Sequence, residues 1–167
     1  EAPGRAWSLC AQPVQLNGQE HTIIKRDREA LELRSVANGI RAEAVVRLDP
    51  RLPVEVWTVR LTNTEERGRI MDLTSYREFV LNAPDAYLRH FDYNSLHIGT
   101  WFVSSLSAII AQNRLLKDNA GGTAVRRPSP EVAFHAVGAG KGAQARLTGY
   151  EDSRPYFIGS STLRRPQ

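Results

Sequence analysis

The chain is predicted to be all-β, a large antiparallel sandwich, on three observations. Apolar and polar residues alternate with a period of two over several runs, turn-forming residues separate those runs, and no long helical pattern interrupts them. The clearest stretch runs from Val54 to Leu96. Trp57, Val59 and Leu61 fall on one face of a first strand there, with Thr58 and Arg60 on the other. A second strand is predicted from Arg69 to Leu81, with Met71, Leu73, Phe79 and Leu81 sharing a face.

In chain order, residues 1–18 read as an irregular lead-in containing Pro3, Gly4, Pro13 and the turn dipeptide Asn17-Gly18. Strand signals begin at His21. A run from Ala30 to Val36 meets a run from Ile40 to Leu48 across Asn38-Gly39, a strong hairpin signal because both turn residues accept positive φ. In the second run Ala42, Ala44, Val46 and Leu48 alternate with Arg41, Glu43 and Arg47, and Pro50 and Pro53 close it by removing ladder donors. Thr62–Gly68 is the polar connection to the strand at 69–81. Ser95–Val103 and Leu106–Leu116 supply two further strands; the second also fits helical spacing, and its β-rich surroundings favour a strand. Asn119–Pro130 reads as a surface loop rich in Gly, Pro and Arg. Glu131–Val137 and Ala143–Tyr150 complete the strands, and residues 160–167 form an exit linker.

At 167 residues a single domain spanning 1–167 is the expectation. Hydrophobic residues make up 41% and charged residues 24%, the balance of a folded globule and too apolar for a disordered chain. The net charge is +4, carried mostly by Arg, since Lys occurs only at 25, 117 and 141. These charges alternate with apolar positions, as solvated strand faces do, and form no basic stripe with interleaved aromatics; nucleic acid is excluded as a partner. Cys10 stands alone, which rules out an intrachain disulfide and a Cys-based zinc site and suits a reducing, cytoplasmic setting. No run approaches the ~20 apolar residues that span a bilayer, so membrane contact is not expected of this segment. EAPGRAW has neither the basic nor the apolar region of a signal peptide, nor an initiating Met, and the chain is expected to be part of something longer.

Gly138-Ala139-Gly140-Lys141-Gly142 has the look of a phosphate loop, but Gly142 stands where Ser or Thr is required, and a hairpin turn is expected. His90 and Asp92 share parity in an extended segment while His97 does not, which disfavours a metal site. Ser95 and His97 lack a nucleophile elbow and an orienting acid. Asp85, Asp92, Glu151 and Asp152 are the candidate carboxylates, and their spacing singles out no acid–base pair. The functional candidate is Arg89-His90-Phe91-Asp92-Tyr93-Asn94, which combines guanidinium, imidazole, carboxylate and amide groups with two aromatics. Its structural alternative is a strand-entry loop with Phe91 and Tyr93 in the core. Gly149–Gly159 reads as a packed corner pinned by Glu151 or Asp152 with Arg154. Trp57 belongs to an apolar face, whereas Trp101 is the candidate sugar platform.

Trp7-Ser8 with Gln12-Pro13-Val14, then VEVWTVRLTN, LTSYREFVL, RHFDYNSL, EVAFHAV and GYEDSRPYFIGSSTLRRP follow an order that resembles the β-sandwich region of glycoside hydrolase family 94. Nearest in pattern are the 1,2-β-oligoglucan phosphorylases and the phosphorylase-like part of cyclic β-1,2-glucan synthases. The resemblance implies a galactose-mutarotase-like sandwich, here incomplete, because the family's Gly-rich strands before Trp7-Ser8 are missing. It implies inverting phosphorolysis of β-linked glucosides by the whole enzyme, with no cofactor and with inorganic phosphate or glucose 1-phosphate as co-substrate. The general acid of such enzymes is an Asp in a separate (α/α)6 barrel, so no catalytic residue is expected here. The expected role is a non-catalytic domain that shapes the cleft for a β-glucan oligosaccharide, with the barrel of the same polypeptide and a second subunit of a homodimer as partners. The alternative is a free-standing carbohydrate-binding module. The expected substrate-binding residues are Arg89, His90, Asp92, Tyr93, Asn94 and Trp101.

Overall fold

The fold follows from a computed structural model, which describes residues 6–10, 12, 14–25, 28, 30–89, 96–114, 116–117, 126–127, 130–143 and 146–152. Two compact units emerge, one built from residues up to Asp72 and one beginning at Leu73.

The first unit is a four-stranded antiparallel meander of β1 (Glu20–Lys25), β2 (Ala30–Ala37), β3 (Ile40–Leu48) and β4 (Glu55–Asn63), paired in that order. Its organising turn is Asn38-Gly39, where φ is 51° and 71°, the left-handed conformation that a two-residue hairpin demands. That turn fixes the register: Ala37 faces Ile40, Leu33 faces Ala44, and Ala44 faces Val59. Because parity is set for every strand at once, one face collects Leu33, Ala42, Ala44 and Val46, all buried. Leu9, Leu31 and Trp57 pack against the cluster of Leu33, Ala44 and Val46. The N-terminal segment is clasped to the sheet by Gln19, whose side-chain amide donates to the Ser8 carbonyl and to Ser35 Oγ, each at 2.8 Å. Ser35 is 1% exposed, so this bond satisfies a hydroxyl that has no water to turn to.

The opposite face is charged. Arg34 bonds Glu32 at 2.5 Å and approaches Glu43 across the strands at 3.6 Å. Glu32 is 4% exposed, and a carboxylate buried that deeply requires a charged partner. After β3, Asp49 Oδ1 accepts from Arg51 N and Leu52 N, both at 2.9 Å, to turn the chain into β4.

The second unit contains α1 (Pro84–Arg89), β5 (Ile98–Val103), β6 (Ala108–Asn113), β7 (Leu116–Lys117), β8 (Arg126–Arg127) and β9 (Val132–Ala136). Strands β5, β6 and β9 form a three-stranded antiparallel sheet, and β7 pairs with β8. The segment over β6 is a strand, as its surroundings suggested, and not a helix. A 3-10 turn at Ser104–Leu106 ends in Ser107 at φ 47° and returns the chain from β5 to β6. Antiparallel strands dominate and the only described helices are one six-residue α-helix and this turn, so the all-β expectation holds among the described residues.

Three expectations are corrected. Residues 69–81 form no strand. Ser75 and Arg77 share parity with Met71, Leu73, Phe79 and Leu81, so the face is not continuously apolar, and alternation without a ladder partner does not make a strand. Ile70 there is 93% exposed. Residues 146–150 of the strand expected at 143–150 likewise lack ladder pairing. Within the loop expected at 119–130, Arg126–Arg127 pairs with Leu116–Lys117.

Candidate functional site

The register of β5, β6 and β9 assigns two faces to the second unit's sheet. One carries Thr100, Phe102, Ile109, Ala111, Asn113, Ala133 and His135; the other carries the cross-strand row Trp101–Ile110–Phe134 with Gly99, Gln112 and Val132. The first face is covered by chain segments that form no strands. Tyr150 stacks on Phe102, the Thr100 hydroxyl donates to the Asp152 carbonyl, and Asn113 Nδ2 donates to Asn82 Oδ1 at 2.8 Å and to the Leu81 carbonyl at 3.4 Å. The corner expected at residues 149–159 depends on Arg154, Tyr156, Phe157 and Ile158, which lie outside the described residues; Tyr150 and Asp152 are held instead by Phe102 and Thr100.

His135 sits on this covered face opposite Ile109. Burial, reinforced by the nearby Arg77 guanidinium, holds its imidazole below the ordinary value of 6.5. Its Nε2 is buried without a hydrogen-bond partner among the described residues. The sequence reading missed His135, although the alternation within VAFHA places it opposite in parity to Phe134.

The second face is different in character. None of Gly99, Trp101, Val103, Ala108, Ile110, Gln112, Val132, Phe134 and Ala136 carries a charge. Trp101 is partly exposed, and Phe134, two strands away in the same row, is 53% exposed. Adjacent strands are spaced about 4.8 Å, which puts the two aromatic positions about 10 Å apart. The Arg114 side chain lies against Gly99 on this face, so two aromatic side chains share it with a guanidinium, groups that suit the apolar faces and the hydroxyls of sugar rings.

Arg89 is the last residue of α1. It is exposed and bonds Asp85 at 2.5 Å, an i,i+4 pair that complements the helix end. Pro84 opens the helix, where its missing N–H removes no intrahelical bond. Asp85, one of the candidate carboxylates, is thus exposed and ion-paired with its own helix. His90, Asp92, Tyr93 and Asn94 lie outside the described residues. Of the six expected substrate-binding residues the structure therefore places Arg89 and Trp101, the former on a helix end and the latter on a sheet. No group of three or more His, Cys, Asp or Glu side chains able to hold a metal occurs among the described residues.

A shallow cleft of about 330 Å³ opens on the charged face of the first unit, lined by Glu20, Thr22, Arg34, Arg41 and Glu43 among others. Its mixture of donors and acceptors is that of a solvated strand face. Among the described residues no helix is long and apolar enough to cross a membrane.

Comparison with known proteins adds to this picture. Residues 1–167 match the family described as glycosyl hydrolase 94, supersandwich domain. The solabiose phosphorylase of Paenibacillus borealis is 30% identical over 128 residues, 77% of this chain and 14% of that enzyme, so the chain spans a small part of this relative's length. No solved structure matches. Antiparallel sheets with almost no helix are what a supersandwich requires, and with the match over residues 1–167 they show that the chain belongs to glycoside hydrolase family 94 as a supersandwich domain.

Proposed function

We propose that the chain is the non-catalytic supersandwich domain of an inverting glycoside phosphorylase. It shapes the substrate cleft beside a separate catalytic barrel and takes part in a homodimer interface. The observation that carries this reading is the family match over residues 1–167. The Arg89–Asn94 segment and Trp101 are the residues assigned to glucan contact. The substrate is a β-1,2-linked gluco-oligosaccharide, on the order of motifs from Trp7-Ser8 to GYEDSRPYFIGSSTLRRP; the kinship to a solabiose phosphorylase makes solabiose the competing substrate. Phosphate and glucose 1-phosphate are the co-substrates, and the setting is cytoplasmic, in keeping with the exposed thiol of Cys10.

The test compares the protein at its full natural length with the 167-residue chain. Each is incubated with inorganic phosphate and either β-1,2-gluco-oligosaccharides or solabiose, and sugar 1-phosphate is assayed. Release by the full-length protein alone, from the β-1,2 oligomers, is the expected result. Release by the purified chain overturns the non-catalytic reading, and release from solabiose alone overturns the substrate assignment. A free-standing carbohydrate-binding module is the second reading, favoured by the aromatic side chains of Trp101 and Phe134 in one cross-strand row. It requires glucan binding by the chain without phosphorolysis by any longer form.

A further inference from the structure

We propose that Arg114, laid over Gly99, completes a binding row for a β-linked gluco-oligosaccharide on the exposed face of the β5–β6–β9 sheet, with Trp101 and Phe134 as its aromatic platforms. This row rests on the reading of Trp101 as a glucan contact. It adds Arg114 and Phe134 as binding residues and Gly99 as the position that seats the guanidinium.

Antiparallel pairing continues one step past β6. The Arg114 N–H donates to the His97 carbonyl at 2.8 Å, so Arg114 stands opposite His97 and shares its face with Gln112 and Ile110. Its side chain then leans along the sheet: Nε, Cζ and one Nη of the guanidinium occupy the space where a side chain at position 99 would begin. Gly99 is not among the glycines with positive φ, so its backbone conformation does not call for glycine. The close approach of Arg114 does, and glycine inside a strand commonly marks such an approach. The next residue of that face on β5 is Trp101, about 7 Å along the strand, and Phe134 follows two strands across in the same row.

These side chains are open to solvent. Phe134 is 53% exposed and Val132 beside it 55%, Arg114 is exposed and Trp101 partly so. On the covered face, by contrast, Phe102 carries Tyr150 on its ring. No carboxylate stands on the exposed face of the three strands, and among the described residues Arg114 has no ion-pair partner. Its guanidinium therefore offers donors in a planar fork, which suits the adjacent hydroxyl oxygens of a pyranose ring. Aromatic rings take the apolar C–H face of the same kind of ring. The two aromatic positions are about 10 Å apart, farther than one pyranose reaches, so a chain of sugars and not a single glucose engages the whole row.

The experiment uses the protein at its full natural length, with β-1,2-glucopentaose and glucose as probes in isothermal titration calorimetry. The parent should bind the pentaose and bind glucose far more weakly; equal binding of the two overturns the extended row. Arg114→Ala and Phe134→Ala should each weaken pentaose binding at least tenfold. Gly99→Ala keeps Arg114 but pushes its guanidinium aside, and should weaken binding by a similar factor with little change in Tm. Adding Arg114→Ala to Gly99→Ala should weaken it no further, the non-additivity of two changes that remove one contact. If Gly99→Ala melts early, the exposed Arg114→Ala decides. A parent that binds pentaose and releases glucose 1-phosphate, with Arg114→Ala and Phe134→Ala indistinguishable from it, overturns this row and leaves the proposed function standing. A parent that binds no pentaose overturns the row together with the glucan role of Trp101. A Phe134→Cys thiol that a small reagent cannot reach in the sugar-free protein shows that another part of the polypeptide covers the face, and overturns the proposal.

Discussion

Tyr150 lies flat on Phe102, ring centroids 3.6 Å apart and planes inclined by 14°. Phe102 belongs to β5, whereas Tyr150 comes from a segment without ladder bonds, so side chains hold that segment in place of backbone pairing. Thr100 reinforces the attachment through its bond to the Asp152 carbonyl. Tyr150→Ala should cost about 1–2 kcal/mol, the worth of an aromatic pair plus the area of a ring that is only half covered. Tyr150→Phe should keep most of it. Chemical denaturation of the three proteins checks both statements.

His135 gives the fold a pH dependence. Its folded-state pKa is depressed below 6.5 by burial and by Arg77, so the unfolded chain takes up a proton more readily than the folded one. Its contribution is complete above about 6.5, declines as the pH falls from there, and levels off below the folded-state pKa. His135→Gln should flatten that part of the stability profile. Urea midpoints recorded between about pH 7.5 and pH 5 for parent and variant test the sign; an unchanged slope would remove His135 as its source.

The Asn38-Gly39 turn tolerates little at its second position. An alanine Cβ at 39 would have to adopt φ near 71° and would collide with the Glu65 side chain. Gly39→Ala should destabilise the first unit by about 1–2 kcal/mol. Asn38→Gly should change stability far less. Thermal melting of the two variants distinguishes a backbone requirement from a general sensitivity of the turn.

Trp57 is partly buried against Leu33, Ala44 and Val46, and its indole N–H donates to the Glu55 carboxylate. Trp57→Ala should therefore cost about 2–3 kcal/mol, below the 3–5 kcal/mol of a fully enclosed aromatic. An unchanged denaturation midpoint would show that the edge of the cluster carries no stability.

Replacing His90 and Asp92 together by Ala in the full-length protein should raise KM or lower kcat with little change in Tm. Loss in KM alone signals uniform binding, and loss in kcat signals transition-state positioning. Early melting with normal kinetics per folded molecule would make the segment a structural corner.

Much of the first sheet was legible because its determinants are local. Asn38-Gly39 announces its own turn, and the run Ile40–Leu48 alternates without interruption and is bounded by Pro50; β3 occupies those same residues. The stretch 69–81 misled because four apolar residues of one parity surround Ser75 and Arg77, and local pattern cannot report whether a neighbouring strand exists to receive it. His135 stayed hidden for a related reason. Its environment depends on how β9 registers with β6 and on an Arg from a segment without regular structure, and neither is written within VAFHA. Trp101 could be singled out by residue type, but its companion Phe134 becomes visible only through the register that puts both in one row.

In the first sheet, every pairing joins strands that are consecutive in sequence. Each new strand therefore closes only a short loop, and loop closure is the entropic barrier that slows β-proteins. The sheet can zip outward from a single microsecond hairpin event at residues 38–39, adding β1 on one side and β4 on the other. During synthesis β1, β2 and β3 are complete before β4 emerges, so the nascent chain exposes one growing edge at a time to the crowded exit of the ribosome.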